Sequence, residues 1–107
     1  MSAEKTRALN DAFRTTMTGG TVLLTAGVDA LPSDVKAMVI RRVATFSEFN
    51  TGNDPHQEHD FGGFTLSGQK FFFKIDYFDM TMEFGSADPT NPAKTTRVLT
   101  IMLAEEY

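Results

Sequence analysis

No cysteine occurs among the 107 residues. That absence excludes a disulfide scaffold, a thiol nucleophile, an iron–sulfur cluster and any cysteine-ligated zinc. No apolar run approaches the roughly 20 residues that span a bilayer. The opening stretch MSAEKTRALNDAFR spreads its charges and has no apolar core, so no signal peptide is expected. The chain contains no GxxxxGK[ST] or GxGxxG phosphate loop and no GxSxG nucleophile elbow. Internal repeats and low-complexity tracts are also missing.

What is present fits an ordinary globular chain, 41% hydrophobic and 22% charged. Its length predicts one domain over residues 1–107. Ten basic and 14 acidic residues give a net charge of −4. Residues 1–50 hold six basic and five acidic side chains; residues 51–107 hold four and nine. An acidic second half repels phosphate backbones, so nucleic acid is not expected as a direct ligand. It suits cations or a basic protein surface instead.

Apolar spacing at Leu9, Phe13 and Met17 predicts a helix over residues 3–17, ended by Thr18-Gly19-Gly20. Thr21–Thr25 reads as a strand covered on both faces, and residues 29–32 as a turn. Ser33 or Asp34 caps a second helix running to about Glu48, with Val35, Met38, Val39, Arg42, Val43 and Phe46 on one face, all apolar except Arg42. FNTGNDPHQEHD is a loop. Eight of the twelve aromatic residues lie between Phe61 and Phe84 and are expected to dominate the core. FGGFTL and FFFKIDYF flank SGQK as a β-hairpin. Residues 80–84 are a candidate for a further short strand, SADPTNPAKT is a loop, and RVLTIMLA closes the chain as a central strand. The expected fold is α+β, in two layers. Both helices pack on one face of a mainly antiparallel sheet of four to five strands. The expected core is Phe61, Phe64, Phe71, Phe73, Ile75, Leu99, Ile101 and Leu103, with Val39, Val43 and Phe46.

Chemically useful groups concentrate in NDPHQEHD and KIDYFD. A hairpin turn centred on Gly68 and Gln69 sets Asp60 opposite Tyr77 and His59 opposite Phe78, with Glu58 approaching Asp79. Glu58, Asp60, Tyr77 and Asp79 then share one face, and His59, Lys74 and Asp76 the other. Paired carboxylates raise one another's pKa, as general acids require, and His59 has the chemistry of a base near neutral pH. Glu58, His59, Asp60 and Asp79 are also the candidate ligands for a hard divalent cation such as Mg²⁺, Mn²⁺ or Ca²⁺. No spacing matches a metal motif: HQEH is not HExxH, and DPHQEHD is not a calcium loop. Asp76, set in an apolar strand, requires a cation, either Lys74 or Arg97. The bland alternatives are a turn at Asn53-Asp54-Pro55, a solvated His56 and a hairpin end at Glu58-His59-Asp60.

EHDFG (58–62), KIDYFD (74–79), S-x-DP (86–89) and TRVLTIMLAEEY (96–107), with NDAFR (10–14), resemble bacterial domain-of-unknown-function family 3768. Members are short proteins frequent on plasmids and other mobile elements, with no assigned reaction, cofactor or partner. The resemblance implies a bacterial cytoplasmic accessory protein with an anti-defence or transfer-related context. Where members typically read KIDYYD, this chain has Phe78. Where they often read DPYGEHD, it has His56 and Gln57.

Two functions follow. One is a non-enzymatic interaction module with an acidic rim for a basic protein partner, needing no cofactor. The other is a small metal-assisted hydrolase or nuclease-like enzyme using Glu58, His59, Asp60, Asp76 and Asp79. The first is preferred, since a phosphate substrate would lack a basic groove. Oligomeric state is left open.

Overall fold

Helix α1, Ser2–Thr16, turns inward on a face that mixes apolar and polar side chains. Thr6, Asn10, Phe13 and Arg14 are all buried, at helical spacing, while Leu9 is only half-buried. The helix stops where Met17 and Gly19 take left-handed conformations, with φ of 57° and 100°. The computed structural model describes residues 2–107.

Strand β1, Thr21–Leu24, leads into a single-turn helix α2, Ala26–Asp29, and then α3, Ser33–Thr45. Helix α2 precedes the expected 29–32 turn and overlaps it only at Asp29. Pro32, not Ser33 or Asp34, is the residue preceding the first turn of α3, and its carbonyl accepts from Lys36 N at 2.8 Å. The helix ends three residues before the expected Glu48. Phe46 is already extended, with ψ of 133°.

Strands β2 (Phe61–Leu66), β3 (Gln69–Phe78) and β4 (Thr96–Leu103) complete the sheet, followed by a 3₁₀ turn at Ala104–Glu106. The order is β1-β4-β3-β2, with β1 parallel to β4 and the other pairs antiparallel. The fold is therefore α+β around a four-stranded, mostly antiparallel sheet. The central place of β4 agrees with its apolar run. β1, expected to be covered on both faces, is instead an edge strand and leaves Leu23 exposed. Residues 80–84 form no strand: past β3 only an isolated Phe78–Gly85 bridge extends the pairing.

Phe71, Phe73, Ile75, Leu99, Ile101 and Leu103 are buried in one cluster with Phe13 of α1, Val39 and Val43 of α3, and Phe46 and Phe64. Phe61, expected in this core, is only half-buried, against Phe72 and Tyr107. Phe84, the last of the aromatic block, is 70% exposed. The alternation of β3 explains the split, since odd-numbered positions 71, 73 and 75 turn inward and Phe72 does not.

Candidate functional site

The β2–β3 turn is Ser67-Gly68, with φ of 52° and 79°, and Leu66 faces Gln69. Two left-handed central residues make the primed turn that suits the twist of a two-residue hairpin. Pairing is thus shifted by two residues from the expected one. Phe61 faces Lys74, and the Asp60 backbone carbonyl accepts from Ile75 N at 2.8 Å, so Asp60 does not face Tyr77. An even shift keeps each side chain on its face. Glu58, which lies before β2, meets Tyr77 directly: the Tyr77 hydroxyl donates to Glu58 Oε1 at 2.9 Å.

That contact belongs to a chain of hydrogen bonds through the fold. Asn10 Nδ2 donates to the Tyr77 hydroxyl at 2.8 Å and to the Glu58 carbonyl at 2.9 Å. Arg97 Nε donates to Asn10 Oδ1 at 2.8 Å, and the Arg97 guanidinium also bonds the Pro89 carbonyl and lies over the Tyr77 ring. Burial pushes the Tyr77 phenol well above its ordinary range and holds the Arg97 guanidinium below its own. The result is a tyrosine held neutral as a donor between α1 and the loop that precedes β2.

A second chain starts at Arg14. Its Nη1 donates to the carbonyls of Val43 and Phe46 at 2.9 Å and of Ala44 at 3.3 Å. This gives donors to the carbonyls of Ala44 and Phe46 and a second donor to Val43, which also accepts from Phe46 N, and it sets a cation at the negative end of the helix. Arg14 Nη2 also meets Asp11 Oδ1 at 3.0 Å. Asp11 in turn holds His59 Nδ1 at 2.9 Å. His59 Nε2 faces Asp54 Oδ2 at 3.7 Å, and Phe49 stacks on the ring at 3.9 Å. Asp54 is 5% exposed and accepts from the amides of both Glu58 and His59 at 3.0 Å. These bonds fix the loop where Gln57 and His59 take left-handed φ of 58° and 55°. That turn ends strand alternation, so His59 points to α1 and not to Lys74 and Asp76, correcting the expected grouping.

The remaining candidates scatter. Lys74 and Asp76 pair with each other at 3.1 Å, at 40% and 39% side-chain exposure. Asp76 thus has the expected cation, but as a solvated pair rather than a buried one; Arg97 is engaged elsewhere. Asp79 binds its own turn, accepting from Thr81 N at 3.1 Å, Thr81 Oγ1 at 2.8 Å and Glu83 N at 3.2 Å. These bonds hold its carboxyl below the usual range. Asp60 is half-buried, and burial with the neighbouring Glu58 charge pushes its pKa up. Among the described residues no three His, Asp or Glu side chains gather as a metal-ligating set. A cleft of about 280 Å³ opens beside the His59 ring, lined by Arg7, Phe49, Asn50, Asp54 and Gln57.

An Asp–His pair next to a cleft is a pattern general bases use. Here the outer imidazole edge looks at a second carboxylate and one ring face is covered. The arrangement joins α1, the end of α3 and the 46–60 loop. Sequence reasoning missed Asn10, Asp11, Arg14 and Asp54. For Asn10 and Arg14 the signal was the polar 6-10-14 spacing on the inward face of α1; Asp11 and Asp54 carried none.

On the other side of Tyr77 the chain leaves β3 into a loop closed by Asp79 N to the Phe84 carbonyl at 2.8 Å and Ser86 N to the Tyr77 carbonyl at 3.0 Å. Met82 within it has φ of 60°. The loop holds Met80, Met82 and Phe84 in solvent, at 62%, 47% and 70% exposure.

These features define a small α+β protein with a polar-stapled scaffold and one apolar loop held outward. The chain belongs to the family described as Protein of unknown function (DUF3768), whose model matches residues 24–106. The match takes in EHDFG, KIDYFD and the last strand, and leaves NDAFR of α1 outside. Comparison with curated proteins and with solved structures finds no match. No helix among the described residues is long and apolar enough to cross a membrane.

Proposed function

We propose that this protein is a non-enzymatic interaction module that presents an acidic, apolar loop to a basic protein surface. The observation that carries the reading is the 79–85 loop. The Asp79 carboxylate preorders it, and Met80, Met82 and Phe84 stand in water beside the charges of Asp79 and Glu83. Exposed large apolar side chains grouped on a fixed loop are characteristic of interaction sites, and methionine adapts to varied partner surfaces. The reading needs no cofactor and no nucleic acid, and it places the module in the bacterial cytoplasm, in the plasmid or anti-defence context that the resemblance implies.

A photo-crosslinking benzoylphenylalanine placed at position 84 in living cells tests this. A discrete protein adduct is expected, weakened by Asp79→Asn with Glu83→Gln and absent when the probe sits at Asp34. Equal, diffuse labelling from both positions would refute it.

The second reading is a small metal-assisted hydrolase or nuclease-like enzyme. The Asp11–His59 pair beside its cleft favours it. Against it, Glu58, Asp76 and Asp79 are each occupied by other partners.

A further inference from the structure

An open groove of about 450 Å³ lies between the outer face of α3 and the β2–β3 turn, lined by Met38, Arg41, Arg42, Thr45 and Leu66. That volume is within the roughly 300–1,000 Å³ of pockets that take a small ligand. Met38 is 51% exposed. The Arg42 guanidinium is fixed over the Phe64 ring at 4.9 Å. Among the described residues neither Arg41 nor Arg42 has a carboxylate within ion-pair distance. The groove is thus apolar at its base and cationic at its rim. The 79–85 loop is its complement, with Met80, Met82 and Phe84 carried beside the charges of Asp79 and Glu83.

The two features sit at opposite ends of one strand. The groove adjoins Leu66 and Ser67, at the turn where β3 begins, and the loop leaves β3 at Phe78. Ten strand residues span about 30 Å at roughly 3.3 Å each, in a molecule whose longest extent is 37 Å. A copy cannot seat its own loop in its own groove.

We infer that the chain associates head to tail with itself, the Met80–Phe84 loop of one copy entering the Arg41–Arg42 groove of the next. The inference rests on the reading of the loop as a contact surface and names its basic partner as a second copy. With one loop seated per contact the association propagates into a ring or an open chain; with both loop–groove pairs formed at once it closes as a two-fold dimer. Opposed rim charges make it weaken as salt rises.

Sedimentation equilibrium on the full chain tests this with two variants at exposed positions, each checked for an unchanged melting temperature. Phe84→Ser with Glu83→Lys disables the loop; Met38→Ser with Arg41→Glu disables the groove. Wild type is expected to grow in average mass with concentration, with apparent Kd rising about tenfold between about 50 and 500 mM salt. Each variant alone is expected to stay monomeric. Their equimolar mixture is expected to form a dimer and nothing larger, because one intact loop meets one intact groove. A monomeric wild type overturns the inference, as does a mixture that remains monomeric or a variant that still assembles. A monomeric wild type that still gives the position-84 adduct with a protein of another mass removes self-assembly alone. A monomeric wild type with no adduct removes the contact-surface reading as well.

Discussion

Replacing Arg14 with methionine removes a guanidinium but keeps most of the apolar stem. The side chain is 4% exposed, donates to three carbonyls at the end of α3 and pairs with Asp11. Hydrogen bonds to a charged group contribute roughly 1.5–3 kcal/mol each when measured singly. They do not add here. The freed carbonyls gain water where they can, Asp11 is partly solvated already, and the buried Arg14 Nε is itself without a partner. The carbonyls of Ala44 and Phe46 lose their side-chain donor at roughly 1–3 kcal/mol each, so the net loss is expected at about 3–5 kcal/mol. At roughly 4 °C per kcal/mol for a domain of this size, melting falls by about 12–20 °C. Arg14→Lys keeps the charge without the planar fork and is expected to lose about half as much. Calorimetric melting at neutral pH measures both. An Arg14→Met protein that melts within about 2 °C of wild type would refute the claim that this side chain staples α1 to α3.

Phe73→Ala is expected to cost about 3–5 kcal/mol in denaturant melts, because the ring is fully buried against Phe46; a change below about 1 kcal/mol would show the core misplaced. Asp76→Ala is expected to cost no more than about 1 kcal/mol, since its pair with Lys74 is solvated. A loss of several kcal/mol would mean that Asp76 is buried after all. Asp60→Asn is expected to raise the melting temperature at pH 7. The Asp60 pKa is raised by folding, so its ionisation opposes the folded state above the ordinary carboxylate range. The gain disappears below about pH 3.8, where Asp60 is protonated folded and unfolded; a gain independent of pH contradicts this origin.

Much of the fold was legible because apolar periodicity and burial coincide in α3, β3 and β4. The hairpin turn was misplaced by one residue because Ser67 adopts a left-handed conformation that favours glycine or asparagine. Counting only apolar residues on α1 chose Leu9, and so hid the inward polar face of Thr6, Asn10 and Arg14. Glu58, His59 and Tyr77 stand out in the sequence as part of a polar concentration, but the partners they meet come from 48 to 67 residues away. Nothing local signals such pairings. Phe84 closes the aromatic block expected to dominate the core, yet it stands in solvent. Its exposure follows from the turn that Asp79 closes.

The central claim is that the polar network is scaffold and that the molecule works through its surface. Calorimetric titration of the purified protein with Mg²⁺, Mn²⁺ and Ca²⁺ tests this most directly, because the hydrolase reading requires a cation at Glu58, His59, Asp60 and Asp79. The account predicts no saturable heat up to millimolar metal and the same trace for Asp60→Asn. One-to-one binding that Asp60→Asn abolishes would contradict it and make those carboxylates a reaction centre.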